Sequence, residues 1–600
     1  MTRRRIHSTS WLTLTLALAA HPVAADHVTL HLDAAMAPPE WALLERQLLR
    51  ANTAASKEFF ARYFDERGYL RCVERWGGDD GPYHSIENVN DWPLLHALGA
   101  SDKVLAMYKK AWEGHLRQYT EAKTIQVPFA QGGMYYKEFP VMFDWVHNGE
   151  GLTVFNLQGL SDPQDRSFRE RVRRYAGFYM NEDPQAPNYD PEHKIIRSLF
   201  NGSRGPLLRR ATGLDWAGDP IQVEGRFKPL HGERNYQEML DHFKDYNDIV
   251  GDHPQNMSAT TLALNAYMLT RKPKYKRWLL EYVGAWVERT KANGGIIPTN
   301  IGLDGTIGGA TGGKWYGGVY GWGFSVVVPQ TGALAHRNTH HLGLVGFTNA
   351  YMLTGDDGYL EVWRRMIDRI NAARRVIDGR VMYPRMYGDD GWYAYAPHKY
   401  SSGAAEIHYL SMKREDLARL PMTGWRAFLA GENPDYPAAS LRGDFSTIRR
   451  RVQEMRQDRT TPDTRLADDP MRYNPATVGH LLELMLGGMH PGHAGRVLHC
   501  RLRYFDPLLR RAGIPPGVAA LVDRLTADEV GVTLVNVDQI KARTVVVQAG
   551  GYAEHEFTRV SFSGREIPLD GSSFTVRLAP GSGGRLVVSM KRYANQPTLD

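Results

Sequence analysis

The chain has 600 residues, 42% of them hydrophobic and 23% charged, which excludes a disordered or fibrous protein. Lys and Arg number 73 against 66 Asp and Glu, a net charge of +7. The basic residues are scattered as pairs, without the dense stripe that a nucleic-acid binder carries. Cys72 and Cys500 are too few for a disulfide framework or a Cys-rich zinc site. They read as two buried thiols, with a single bridge as the alternative.

Residues 1–25 read as a secretory signal. Arg3, Arg4 and Arg5 are followed by the apolar run WLTLTLALAA and by the small-residue site Val23-Ala24-Ala25. The mature chain then starts near Asp26 and is expected outside the cytoplasm, secreted or periplasmic. The apolar run is too short to span comfortably, since a membrane helix needs about 20 residues. No later segment is apolar enough to cross. No Walker loop or dinucleotide fingerprint is present.

The middle of the chain repeats. NAYMLT occurs at 265–270 and again at 349–354, an offset of 84 residues, each time followed by a turn and an amphipathic segment. Looser copies begin at Leu94, Asn156 and Leu481. Each reads as helix, short turn, helix. One hairpin cannot bury its apolar stripe alone, so neighbours must pack side by side. Spacers of unequal length argue against a regular solenoid. The expected fold is mainly α: an (α/α) toroid of hairpins over residues 26–510, with elaborate loops at one end. Residues 511–530 read as a linker. From 531 to 600 short alternating runs such as RTVVVQAG and SSFTVRLAP predict a small antiparallel β-sandwich module. HVTLHLD, residues 27–33, reads as one more strand for it.

Four clusters carry chemistry-bearing residues. In GDHPQNMSATT, residues 251–261, Pro254 opens a helix, and Asp252, His253, Gln255 and Asn256 sit at its mouth. His253 is a candidate for proton transfer, and Gln255 and Asn256 for binding a substrate carboxylate. In HRNTHH, residues 336–341, three His stand with Arg337 and Asn338. His340 and His341 are candidate bases, and Arg337 and Asn338 candidate carboxylate ligands. His336 and His340 would share a face if helical, so a divalent metal is the rival reading, without an obvious third ligand. No cofactor is otherwise indicated. In KWYGGVYGWGFS, residues 314–325, Trp315 and Trp322 offer stacking faces to sugars. The hydroxyls of Tyr316 and Tyr320 can protonate a leaving oxygen. Trp392 and Tyr393 repeat the theme. In FDWVHNGEGL, residues 143–152, Asp144, His147 and Glu150 fall at three-residue steps and would share a helix face, with His147 and Glu150 lining the cleft. The run 75–93 could add Asp79, Asp80, His84, Glu87 and Asn90 to a rim. Each cluster also has a plainer reading as helix capping, loop packing or buried hydrogen bonding.

A secreted chain with a toroid, aromatic loops and a terminal β-module resembles the toroid-type polysaccharide lyases and related uronic-acid-active enzymes, the heparinase- and chondroitin-lyase-like group. The resemblance implies an Asn, a His, a Tyr and often an Arg or second His acting on a uronate unit of an anionic poly- or oligosaccharide. It implies β-elimination: carboxylate neutralised, C–H proton removed, leaving oxygen protonated, with either a sugar or a hydroxyl expelled. Hydrolysis in the manner of a glucuronidase would instead need two carboxyl groups, Glu150 with Asp252 or Asp144. A non-catalytic carbohydrate-binding protein would need only the aromatics. No nucleic acid and no membrane span are expected, and the oligomeric state is open.

Overall fold

The computed structural model describes residues 28–74, 84–122, 132–146, 151–217, 227, 233–420, 423–492 and 495–599. The expected signal segment, His147, Glu150, Asp79 and Asp80 lie outside them.

The repeated hairpins form as expected. Helix Trp92–Leu98 turns at Gly99 into Asp102–Glu121, and Leu152–Leu157 leads through a short 3-10 turn to Arg166–Phe178. Ala259–Thr270 turns at Arg271 into Pro273–Ala292, and Leu344–Thr354 turns at Gly355 into Gly358–Ala372. In both NAYMLT copies the turn residue is left-handed, Arg271 at φ 57° and Gly355 at φ 66°, and closes the helix C-terminus. The first helix of these two pairs is buried on nearly every face, and the second is amphipathic. That pattern puts the first helix inside the ring and the second outside.

Two further inner helices, Ala404–Ser411 and Gly479–Leu481 with its π-helical continuation Leu482–Leu486, complete the set. Their outer partners come from far apart: Tyr436–Gln457 packs against Glu40–Tyr63, which packs in turn on Asp102–Glu121. The N-terminal helix thus closes the ring. Trp92 Nε1 donates to Asn474 Oδ1 at 3.0 Å, and Asn474 Nδ2 donates to Asn90 O at 2.9 Å, joining the last inner segment to the first. No described helix is long and apolar enough to cross a membrane.

The copy at 481–502 is not a hairpin. After the π turn, residues 488–492 and 495–500 run without helix and lead into strand Leu502–Asp506. Gly488, Gly492 and Gly495 with Pro491 break the helical pattern.

The β-region has two five-stranded sheets. The first runs Thr29–Leu32, Ser573–Leu578, Arg543–Ala549, Leu502–Asp506, Arg511–Ala512, and the second Val518–Leu525, Glu529–Asn536, Gly583–Lys591, Glu556–Phe562, Arg565–Gly571. The N-terminal strand pairs in parallel with Ser573–Leu578, Thr29 opposite Thr575. The expected linker 511–530 is therefore part of the sandwich, which begins at Leu502. Strand Val518–Leu525 escaped notice because its first five residues are all buried, so it does not alternate. Helix Glu40–Tyr63 and the π turn cover it. Cys72 and Cys500 are free and buried.

The sandwich and the C-terminal tail sit on the C-terminal ends of the inner helices. Arg511 donates to His96 O and Ala100 O at 3.0 and 2.7 Å, and Arg503 donates to Leu160 O. Gln596 Nε2 donates to Leu353 O at 3.2 Å, and Arg592 donates to Leu410 O and Ser411 O. One end of the ring is sealed in this way. Among the described residues no comparable layer covers the other end, where the inner helices begin.

A buried ion network ties the outer helix Gly358–Ala372 to the 3-10 turn Arg414–Arg419 that follows Ala404–Ser411. Arg364, 1% exposed, is bidentate to Asp416 at 2.9 and 3.1 Å and also bonds Asp357. Asp416→Ala leaves that guanidinium without its buried partner and is expected to cost about 3–5 kcal/mol, read as a lower midpoint in urea unfolding.

Candidate functional site at the open end of the ring

The lead-in segments of the inner helices meet at the open end. Three of the four clusters touch there. Thr339 Oγ1 donates to Gln255 Oε1 at 2.6 Å, joining HRNTHH to the 251–261 segment. Thr339 N donates to Tyr320 O at 3.0 Å, joining it to the aromatic loop. Gly318, at φ +90°, lies so close over His253 that a Cβ there would come within 2.8 Å of the ring.

Within this junction many of the expected residues are internal. Asp252 is fully buried and accepts from Ile196 N, His253 N, Asn256 Nδ2 and the Tyr282 hydroxyl. Burial pushes its carboxyl up to about 6. Asn256 Nδ2 also donates to Ser198 O at 3.2 Å, so it braces Asp252 and the backbone instead of facing the opening. His253 is 1% exposed, and burial pulls its imidazole down to about 4. Gln255 and Tyr320 are buried as well. His340 is buried, stacked on Trp322 at 3.5 Å between ring centres, with Nε2 2.7 Å from the Tyr400 hydroxyl. Burial drives its pKa well down. Trp322 is buried too, its Nε1 donating to Ile297 O.

Other residues reach solvent. His341 is half-buried, and its pKa is lowered, by burial first and then by the Arg496 charge, with Glu406 acting in the opposite sense. Arg337 is exposed, with Nη1 donating to the Tyr246 hydroxyl at 2.8 Å. Asn338 Nδ2 donates to Arg385 O at 2.8 Å. Trp315, Tyr316, Tyr387 and Trp392 form a half-exposed aromatic shelf, with Trp315 and Tyr387 4.6 Å and Tyr387 and Trp392 5.0 Å apart, whereas Tyr393, on the other face of its strand, lies against His336 at 5.6 Å. The Tyr316 hydroxyl donates to Asp389, which lifts its pKa to about 12.

Two expected helix faces are absent. His336 ends strand Leu334–His336 and pairs with Ser325 Oγ at 2.6 Å, while His340 lies in a 3-10 turn, so they share no face. Among the described residues no group of three or more His, Cys, Asp or Glu could hold a metal ion. Asp144 precedes its helix, which starts at Leu152, and is fully buried. His84, Glu87 and Asn90 are also buried, His84 lying 3.2 Å from Glu87.

The sequence reading missed the non-helical residues 488–492 and 495–500, which reach the starts of inner helices and are termed the axial segment. Gly495 N donates to Thr153 Oγ1 at 2.9 Å, and Asn156 Nδ2 donates to Gly495 O at 3.4 Å, both on an inner helix. His490 Nε2 lies 2.8 Å from Asp91 Oδ1, and Arg496 Nη1 lies 2.6 Å from Glu406 Oε1. Burial works against the charged form of His490, but Asp91 outweighs it and the pKa is raised. Asp91 caps helix Trp92–Leu98 at φ 71°, a conformation costly for a non-glycine residue. The only sequence signal was the dense MHPGHAGR, whose helical reading hid it.

With an aromatic shelf and a partly exposed His, Arg and Glu set at the end opposite the sandwich, the chain is a helical toroid on a β-sandwich base. The chain belongs to the family described as a domain of unknown function (DUF8034), whose model matches residues 30–383. No curated protein matches it. Among solved structures it is similar to an inactive variant of the alpha-1,6-mannanase of Salegentibacter sp. HEL1_6 in complex with alpha-1,6-mannotetrose, with 10% identity, 73% of this chain and 99% of that chain covered and a TM-score of 0.30. It is also similar to D-mannose isomerase, with 13% identity, 72% and 97% covered and a TM-score of 0.32. The cellobiose 2-epimerase of Bacillus thermoamylovorans B4167 matches with 10% identity, 59% and 93% covered and a TM-score of 0.21.

The electrostatics of His341 can be checked directly. Titrated by NMR, its imidazole is expected to have a midpoint below the ordinary value of about 6.5. Arg496→Met, which removes a repelling cation, should raise that midpoint, and Glu406→Gln should lower it further.

Proposed function

We propose that the protein is an exported carbohydrate-active enzyme that breaks uronic-acid-containing poly- or oligosaccharides by β-elimination at the open end of the ring. The observation that carries this reading is His341. It is a half-buried imidazole of the junction, held uncharged at neutral pH near the Arg496 guanidinium, and it directly follows His340, whose ring stacks on Trp322 behind Trp392 of the shelf. Sugar rings lie against Trp315, Tyr387 and Trp392, whose flat faces suit the apolar C–H side of a pyranose. Arg337, exposed at the rim, neutralises the uronate carboxylate and so acidifies the neighbouring C–H. His341 takes that proton. The electron pair forms the carbon–carbon double bond, the carbon–oxygen bond breaks, and Tyr316 protonates the leaving oxygen. The raised pKa of Tyr316 keeps its proton in place until the oxygen develops charge. His253, His340, Gln255, Asn256, Tyr320 and Trp322 hold the junction rigid from below. The basic and apolar N-terminal run supports export.

One observation favours hydrolysis as a second reading. Asp91 and Glu406 are carboxylates at the starts of inner helices, with side chains 19% and 29% exposed, both anchored to the axial segment. Two carboxyl groups flanking a glycosidic bond are what a hydrolase requires.

Uronate polymers incubated with the protein discriminate these. New ultraviolet absorbance from a conjugated unsaturated uronate supports elimination. Reducing ends without that absorbance support hydrolysis, and retained affinity with neither supports binding alone. Under elimination, His341→Ala should lower kcat by about 100-fold or more with the fold intact. Because a base of lowered pKa stays deprotonated into acid, the acidic limb of kcat/KM should fall below about pH 6.5. An acidic limb above that value, or near-normal turnover in His341→Ala, discards the assignment.

A further inference from the structure

Segment 487–491, residues 496–501 and helix Ala404–Ser411 line a partly open cavity of about 40 Å³. One water needs about 10–15 Å³, so the space holds roughly three or four oxygen-sized atoms and excludes a sugar ring. Its wall includes Arg496, Arg501, His499, Glu406, Tyr409 and Cys500.

The charges in this wall do not balance. Arg501 is 4% exposed, and among the described residues no carboxylate forms an ion pair with it. Its Nη2 donates to Tyr409 O at 3.2 Å, and its Nε–H has no acceptor. Arg496 bonds Glu406 through Nη1, yet its buried Nε–H also has no acceptor. Both ring nitrogens of His499 are buried without partners. Glu554 is near enough to feel Arg501, but its carboxylate accepts from Gly551 N and Tyr552 N. Burial lowers Arg501 only to about 10, and Arg592 adds to that by repulsion, so it remains cationic at neutral pH. A buried guanidinium without a counter-charge is strongly unfavourable, and buried charges in folded proteins are paired. The unpartnered donors belong to three residues around one small space, with one carboxylate among them.

We propose that this cavity is a binding site for a small oxyanion of the phosphate or sulfate class, with Arg501 as its counter-charge and Arg496 and His499 as further donors. The site is separate from the aromatic shelf and stands whether or not the elimination reading holds. The tetrahedral oxyanion arrives either free or as the O-sulfate of a glycan.

The test measures binding on the full chain. Thermal unfolding is followed at constant ionic strength and pH 7 in phosphate, in sulfate and in gluconate, an anion too large for the cavity. The melting temperature is expected to rise with the logarithm of phosphate or sulfate concentration and to stay level in gluconate. In titration calorimetry, Arg501→Met should weaken phosphate binding by more than about tenfold, the scale of a lost charge-assisted hydrogen bond. The same variant should melt higher than the wild type when no oxyanion is present. His499→Leu keeps the guanidinium and should weaken phosphate binding by several-fold, which preserves the test if Arg501→Met does not fold. A sugar O-sulfate titrated in parallel identifies the source: binding that depends on Arg501 marks a glycan-borne group, and binding of the inorganic ions alone marks a free one. Equal melting in all three salts, or undiminished affinity in both variants, overturns the proposal. Because no turnover is read, such a result leaves the role of His341 untouched.

Discussion

An α-helix ends with carbonyls that have no partner within the helix, and six inner helices ending at one level concentrate that deficit on one face. Long side chains from the C-terminal region meet it. Arg511, Arg503, Arg592 and Gln596 reach carbonyls at the ends of four different inner helices. Arg271 works in the reverse sense, its Nη1 donating from a helix end to Pro597 O in the tail at 2.8 Å. The sandwich is thus a base plate for the ring. With that end sealed, the described lead-in segments form the opposite end of the ring, where the inner helices begin.

The same logic explains why so many of the polar residues at the junction are buried. Asp252, Asn256, Gln255, His253 and His340 come from lead-in segments that must be held against one another before anything can be bound above them. Their hydrogen bonds to Ser198 O, Thr339 and Tyr400 make that platform. These bonds tie the segments into one arrangement, although both ring nitrogens of His253, Gln255 Nε2, Asn256 Oδ1 and His340 Nδ1 are buried without a partner. The groups left at the surface, His341, Arg337 and the half-exposed rings, are positioned from beneath.

The axial segment 488–500 alters what a ring of this kind offers. A helical toroid leaves space along its axis, and here chain fills part of it. His490 and Arg496 stand on this segment and meet Asp91 and Glu406 on inner helices on different sides of the ring. The segment also lines the small cavity beside Arg501.

Periodicity within the chain determined the hairpins, because the apolar stripe and the left-handed turn are local properties: NAYMLT followed by a turn reads the same at 265 and at 349. The alternating strands after residue 531 were legible for the same reason. The strand at 518–525 was not, since burial on both faces erases alternation, and neither was the ring closure by the N-terminal helix, which joins segments about 400 residues apart in contacts such as Arg456 with Glu58. The residue types of the site were visible as clusters, but which of them face solvent was decided by tertiary packing. HRNTHH looks uniform in sequence, yet His340 is sealed against Trp322 while its neighbour His341 is half-exposed. Adjacent residues on a tight turn point in different directions, and only the surrounding elements determine which of those directions is occupied.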